Sequence, residues 1–134
     1  MNETMNVQAI DHVTLIVRNL ENSGEFFRNV LGMQQVERPE FSFDGSWFQA
    51  GTTQIHLILE HDRSTPAGPG LENKPENNRT HHVAFRVDDV PACAKKIATM
   101  NVSVVAEPAL RPDGFWQMFI QDPDGHVIEL CSKA

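Results

Sequence analysis

Polar and apolar residues alternate along 12–17, so Val13, Leu15 and Val17 share one face of a strand while His12, Thr14 and Ile16 take the other. The period then lengthens. Leu20, Phe27, Val30 and Leu31 form a helical stripe, Asn19 suits the N-cap and Gly32 the C′ position, which predicts a helix over about 21–31. Three strands are predicted next, near 37–43, 46–50 and 54–60, with turns at Asp44-Gly45 and Gly51-Thr52. From residue 82 the order returns. Val83, Phe85 and Val87 alternate, Asp89 and Pro91 open a helix striped by Val90, Ala94, Ile97 and Ala98, and that helix ends near Asn101. Strands are predicted at about 103–106, 115–120 and 126–131, separated by turns at 112–114 and 122–125.

Strand, helix, three strands therefore occurs twice. His12-Val13-Thr14-Leu15-Ile16-Val17 reappears as His82-Val83-Ala84-Phe85-Arg86-Val87, and Ile55-His56-Leu57 as Ile128-Glu129-Leu130. The pattern predicts an α+β fold of two repeated βαβββ modules within a single domain covering residues 1–134. Module one spans about 10–60 and module two about 81–132. The proline-bearing stretch 61–80 has no apolar period and reads as an exposed linker, with a lid or pocket wall as its functional alternative.

Face parity selects candidate metal ligands. Val13, Leu15 and Val17 must cover a helix, which leaves His12 on the opposite face, and Val83, Phe85 and Val87 do the same for His82. Ile55 and Leu57 put His56 on that face, and Ile128 and Leu130 put Glu129 there. Neutral imidazole and carboxylate are usual donors for zinc, nickel, iron(II) or manganese, so His12, His56, His82 and Glu129 are the predicted metal set. Parity sets His61 and His81 apart, and His126 lies beside a turn. Glu60 shares the face of His56, but four residues along a strand carry it roughly 13 Å away. Cys131 reads as a buried thiol. Aromatics cluster at Phe41, Phe43, Trp47, Phe48, Phe115, Trp116 and Phe119, mostly as core with one or two available to wall a pocket. Arg86 and Arg111 are candidate contacts for an anionic substrate, Arg111 otherwise being a solvated loop charge.

A formal charge of -7 argues against a nucleic-acid or anionic-membrane partner, since both need a basic face. Cys93 and Cys131 are too few for a disulfide framework. The first residues carry no signal-peptide pattern, and no apolar run approaches the ~20 residues of a membrane span. A cytoplasmic protein with a small-molecule substrate is expected.

The two His-x5 strand motifs, Glu25-Phe26-Phe27-Arg28-Asn29-Val30-Leu31-Gly32-Met33, and Asp122-Pro123-Asp124-Gly125 followed by Ile128-Glu129-Leu130 together resemble the vicinal oxygen chelate superfamily. The resemblance covers almost the whole chain. It implies a cup-shaped half-barrel around a divalent metal ion (zinc, nickel, iron(II), manganese or cobalt) and a homodimer, in some members with the site shared between chains. Glyoxalase I resembles the chain in length and ligand pattern, although such enzymes typically carry glutamate where His56 stands. On that likeness Glu129 would move a proton between adjacent carbons of a small oxygenated substrate through a metal-stabilised enediolate. Four alternatives stay open: an iron(II) extradiol-type dioxygenase using His12, His82 and Glu129, a fosfomycin-type thiol transferase, an acyl-CoA epimerase, and a non-catalytic drug-binding resistance protein.

Overall fold

Alternating faces build two sheets, and the apolar face of each carries a helix. A computed structural model describes residues 3–134. In module one, β1 (His12–Val17) pairs in parallel with β4 (Thr53–Leu59), which pairs antiparallel with β3 (Gly45–Ala50) and through it with β2 (Gln34–Val36). Module two repeats the order with β5 (Val83–Arg86), β8 (Val127–Lys133), β7 (Phe115–Gln121) and β6 (Ser103–Leu110). The helix α1 (Leu20–Glu25) and the helix α2 (Val90–Ile97) sit at the predicted places, each capped as its side chains dictate. Asn19 accepts from Asn22 N–H, and Asp89 accepts from Ala92 N–H. The two βαβββ units are the predicted α+β architecture.

Three elements depart from the predicted pattern. The strand expected over 37–43 is a loop, and β2 lies earlier, at Gln34–Val36. Pro39 cannot donate to a ladder, and the Arg38 guanidinium folds back onto the Phe43 carbonyl at 2.9 Å, which curls the segment on itself. The first helix continues as a π-helical turn over Phe26–Val30, closed by Leu31 N–H on the Phe26 carbonyl. The wider turn lets two successive rings, Phe26 and Phe27, both enter the core. β6 runs on to Leu110 despite Pro108 because it is an edge strand with register shifts on either side of Ala106.

One continuous core joins the modules, with Val17, Phe27, Phe48, Ile55 and Leu57 meeting Val90, Ile97, Met118, Ile120, Ile128 and Leu130. A polar clasp fixes how they meet. The turn at 122–125 reaches the end of β1, where the buried Asp124 carboxylate accepts from Arg18 N–H at 3.0 Å and from Ser23 Oγ at 3.2 Å. His126 Nε2 donates to the Ile16 carbonyl at 2.8 Å. Gly68 N–H shares that carbonyl, and a Cβ at Gly68, whose φ is +74°, would run into the Asp124 carbonyl oxygen.

The linker is largely exposed but tied down. Glu60 accepts from Ala67 N–H at 2.7 Å, Asn73 donates to the Val104 carbonyl, and a 3₁₀ turn at Pro75–Arg79 lies against β6 and β8. Among the described residues no helix is long and apolar enough to cross a membrane.

Candidate functional site

The parallel register of each module decides which donors meet. In module one Thr14 is opposite His56, so His12, two residues back on the same face, is the diagonal neighbour of His56. In module two Ala84 is opposite Glu129, which gives His82 the same relation to Glu129. An aromatic ring stands directly across from the second donor in both: Trp47 opposite His56 and Phe119 opposite Glu129. This equivalence was present in the repeat but hidden by the differing residue types.

Within each module the predicted donors touch. The His12 and His56 rings stack with centroids 3.9 Å apart, and Trp47 stacks on the other face of His56 at 4.0 Å. His82 Nε2 lies 3.1 Å from Glu129 Oε1, with Phe119 edge-on to the His82 ring. The two pairs do not meet in one chain: among the described residues no group of three or more His, Cys, Asp and Glu is arranged to hold a metal ion.

Hydrogen bonds fix which ring nitrogen each histidine can offer. A carbonyl only accepts, so His82 Nδ1 donates to the Thr80 carbonyl at 2.7 Å and Nε2 is the ring nitrogen turned to Glu129. His82 Nε2 and Glu129 Oε1 face each other across 3.1 Å. Two donors at the edge of one coordination shell stand roughly 2.9–3.4 Å apart for ordinary metal–ligand lengths. His12 Nδ1 is 2.7 Å from the Asp11 carboxylate, which likewise leaves Nε2 outward.

His56 is set through a chain of amides. Gln49 Nε2 donates to the Gly51 carbonyl, so its Oε1 faces Gln54 Nε2 at 3.0 Å, and Gln54 Oε1 must then receive the His56 Nε2–H at 2.8 Å. His56 therefore offers Nδ1. Burial, then the adjacent His12 ring, lower its pKa from the ordinary histidine value, Asp11 acting in the opposite direction and Arg38 in the same one.

Glu129 is buried, and its second oxygen accepts from Arg111 Nη1 at 3.0 Å. Arg111 is thus no solvated loop charge. It is also paired with Asp113, whose hydrogen bond is the main cause, ahead of Glu129, that raises the Arg111 pKa, while the guanidinium lowers that of Asp113. No spacing rule links Arg111 to Glu129, because the antiparallel excursion of β6 and β7 separates them. Arg86 instead lies over the Phe115 ring at 4.6 Å. Cys131 is buried with its thiol toward the Phe85 carbonyl, as expected of an inert core thiol. His61 accepts from Arg63 N–H and His81 is exposed, so neither joins a donor pair.

Two cavities adjoin these residues. One of about 640 Å³ opens between the modules on their apolar side, lined by Val13, Leu31, Met33, Ile55, Phe85 and Val87 among others, with His82 at its rim. A second, of about 330 Å³, lies over the donor pair of module one.

The model of the Glyoxalase/Bleomycin resistance protein/Dioxygenase superfamily matches residues 9–130. The chain is 28% identical over 134 residues to Glyoxylase I 4 of Arabidopsis thaliana, covering 96% of this chain and 72% of that protein. It is 32% identical over 128 residues to a lactoylglutathione lyase of Neisseria meningitidis, covering 91% of this chain and 88% of the relative. The fold is also that of a glyoxalase family protein from Bacillus anthracis, with a TM-score of 0.75, 24% identity and complete coverage of both chains.

Proposed function

Because the chain belongs to the glyoxalase/bleomycin resistance protein/dioxygenase superfamily, we propose that it is a divalent-metal-dependent enzyme with glyoxalase I-like isomerase or lyase chemistry on a small oxygenated substrate. The observation that carries this reading is the equivalence of the two donor pairs, each on the same diagonal of its sheet and each backed by an aromatic ring. The donor chemistry fits a divalent ion: His82 Nε2 and Glu129 Oε1 face each other at 3.1 Å, and the hydrogen bonds to Thr80, Asp11 and Gln54 act as the outer partners that orient metal-binding imidazoles.

His12 and His56 of one copy, with His82 and Glu129 of a second, would hold the ion. A homodimer would supply the missing half: β1 and β5 each leave one edge unpaired, Met5, Val7 and Ile10 are exposed apolar side chains, and Ile10 lines the inter-module groove. The bound ion would supply Lewis acidity to substrate oxygens. Glu129 is the carboxylate of the set and the group that moves a proton between adjacent carbons. Arg111 holds Oε2 and so directs Oε1 toward the donor site.

The test is reconstitution of protein purified without added metal. Zinc, nickel, manganese, cobalt and iron(II) forms are assayed on the methylglyoxal–glutathione hemithioacetal while oxygen uptake is followed. Isomerisation with nickel or zinc, no oxygen uptake, and loss of turnover in Glu129→Gln are expected. Oxygen uptake confined to the iron(II) form would replace the reading with a dioxygenase, and the lack of any bound ion in every sample would overturn it.

A further inference from the structure

Module one assembles more aromatic surface around its donor pair than metal binding needs. The loop at 37–44 brings Phe41 to 5.2 Å from Phe43 and 6.1 Å from Trp47, and Trp47 continues the stack through His56 to His12. Core packing does not account for these rings, because the buried residues of this module, Phe27, Phe48, Ile55 and Leu57, form a separate cluster that contains none of them. Phe41 remains 47% exposed although it sits on a pocket wall.

Beside these rings stands one cation, Arg38, while the Asp11 carboxylate in the same cavity is turned to His12 Nδ1. The Arg38 guanidinium lies 4.7 Å from the Phe41 centroid and 5.2 Å from that of Phe43. Among the described residues it uses one hydrogen bond, to the Phe43 carbonyl. A guanidinium has five N–H donors, so most of its capacity is open to a ligand. The cavity of about 330 Å³ that these groups share lies in the range of small-molecule sites.

We infer that this surface takes the aromatic portion of a planar, anionic ligand, an aromatic carboxylate, with its ring against Phe41, Phe43 and Trp47 and its carboxylate at Arg38. A saturated ring would lose the stacking, and a neutral ligand would leave Arg38 without a counter-charge. As the substrate class of the proposed site this rests on the metal-enzyme reading, but binding to the wall itself does not require the ion. The two therefore fail separately when the wall is probed in metal-free protein.

The experiment titrates EDTA-treated full-length protein with 2-naphthoate, decahydro-2-naphthoate and 2-naphthalenemethanol, read by backbone amide shifts and tryptophan fluorescence. The expected result is that 2-naphthoate binds with shifts centred on residues 38–47 and His56, roughly 2- to 12-fold more tightly than its saturated analogue. Phe41→Ala, at an exposed loop position, and Arg38→Lys, which keeps the charge but not the planar stack, should each weaken it, and the alcohol should bind more weakly than the acid. The inference is overturned if 2-naphthoate does not bind, if the saturated acid binds equally well, if both variants bind like the wild type, or if the shifts centre on Trp116 instead.

Discussion

Replacing Asp124 with alanine removes the carboxylate part of the clasp that sets one module against the other. The carboxylate side chain is 3% exposed and is the acceptor for both Arg18 N–H and the Ser23 hydroxyl, Ser23 itself being 0% exposed. The Arg18 guanidinium is mostly solvated and regains water, so losing its contact costs little. Two donors left without an acceptor, one of them fully buried, cost about 2–4 kcal/mol. With an unfolding entropy of about 2.1 cal/mol/K per residue, this lowers Tm by roughly 7–14 °C. Circular dichroism melts of wild type, Asp124→Ala, Ser23→Ala and the double variant measure it. Because Ser23→Ala removes one of the stranded donors, the double variant should be less destabilised than the sum of the singles by about 1 kcal/mol. A loss below about 1 kcal/mol for Asp124→Ala, or strict additivity, would refute the clasp as the inter-module restraint.

Asp122 carries a pH signature of its own. Burial raises its pKa to about 6, against the His126 charge and the N–H groups of His126 and Asp124, while its Oδ2 is buried without a partner. The folded state then holds a proton that the unfolded chain has released above about pH 4, so stability falls by roughly 2–3 kcal/mol as pH rises from about 4 to about 6. Asp122→Asn keeps Oδ1 for the two N–H donors and removes the buried charge. It should flatten that slope and raise Tm at pH 7.5, and a variant less stable than wild type at pH 7.5 would contradict the assignment. Gln54→Leu frees the His56 Nε2 proton from its acceptor. Loss of such an outer partner should weaken zinc binding by about 10- to 100-fold in chelator competition, with imidazole nitrogen shifts showing mixed tautomers, whereas an affinity within about threefold of wild type would dismiss the amide relay.

Period-two alternation made the donor faces legible, because it depends only on which residues must cover the helix. Val13 and Leu15 leave His12 no other side, and Ile55 and Leu57 do the same for His56. The same alternation, in Phe41 and Phe43, predicts a strand where the loop at 37–44 stands, because Arg38 closes the segment on itself through contacts that no period records. The π-helical turn depends on two rings competing for one core, and the pairing of Arg111 with Glu129 depends on how an irregular edge strand returns. Whether the two donor pairs meet is also beyond periodicity. It is decided by the turn at 122–125, which anchors module two at the end of β1 and leaves each pair on its own sheet.

Hybrid dimers discriminate a four-donor metal site completed between copies from two separate half-sites. One variant carries His12→Ala and His56→Ala, the other His82→Ala and Glu129→Ala, and zinc content is measured for each alone and for the two refolded together in equal amounts. In a two-fold dimer with shared sites, the hybrid, half of all dimers, has one intact site of its two. The mixture should therefore recover about one quarter of the wild-type zinc, while each variant alone holds almost none. Zinc retained by either variant alone, or none recovered in a mixture that contains hybrid dimers, would rule out the shared site.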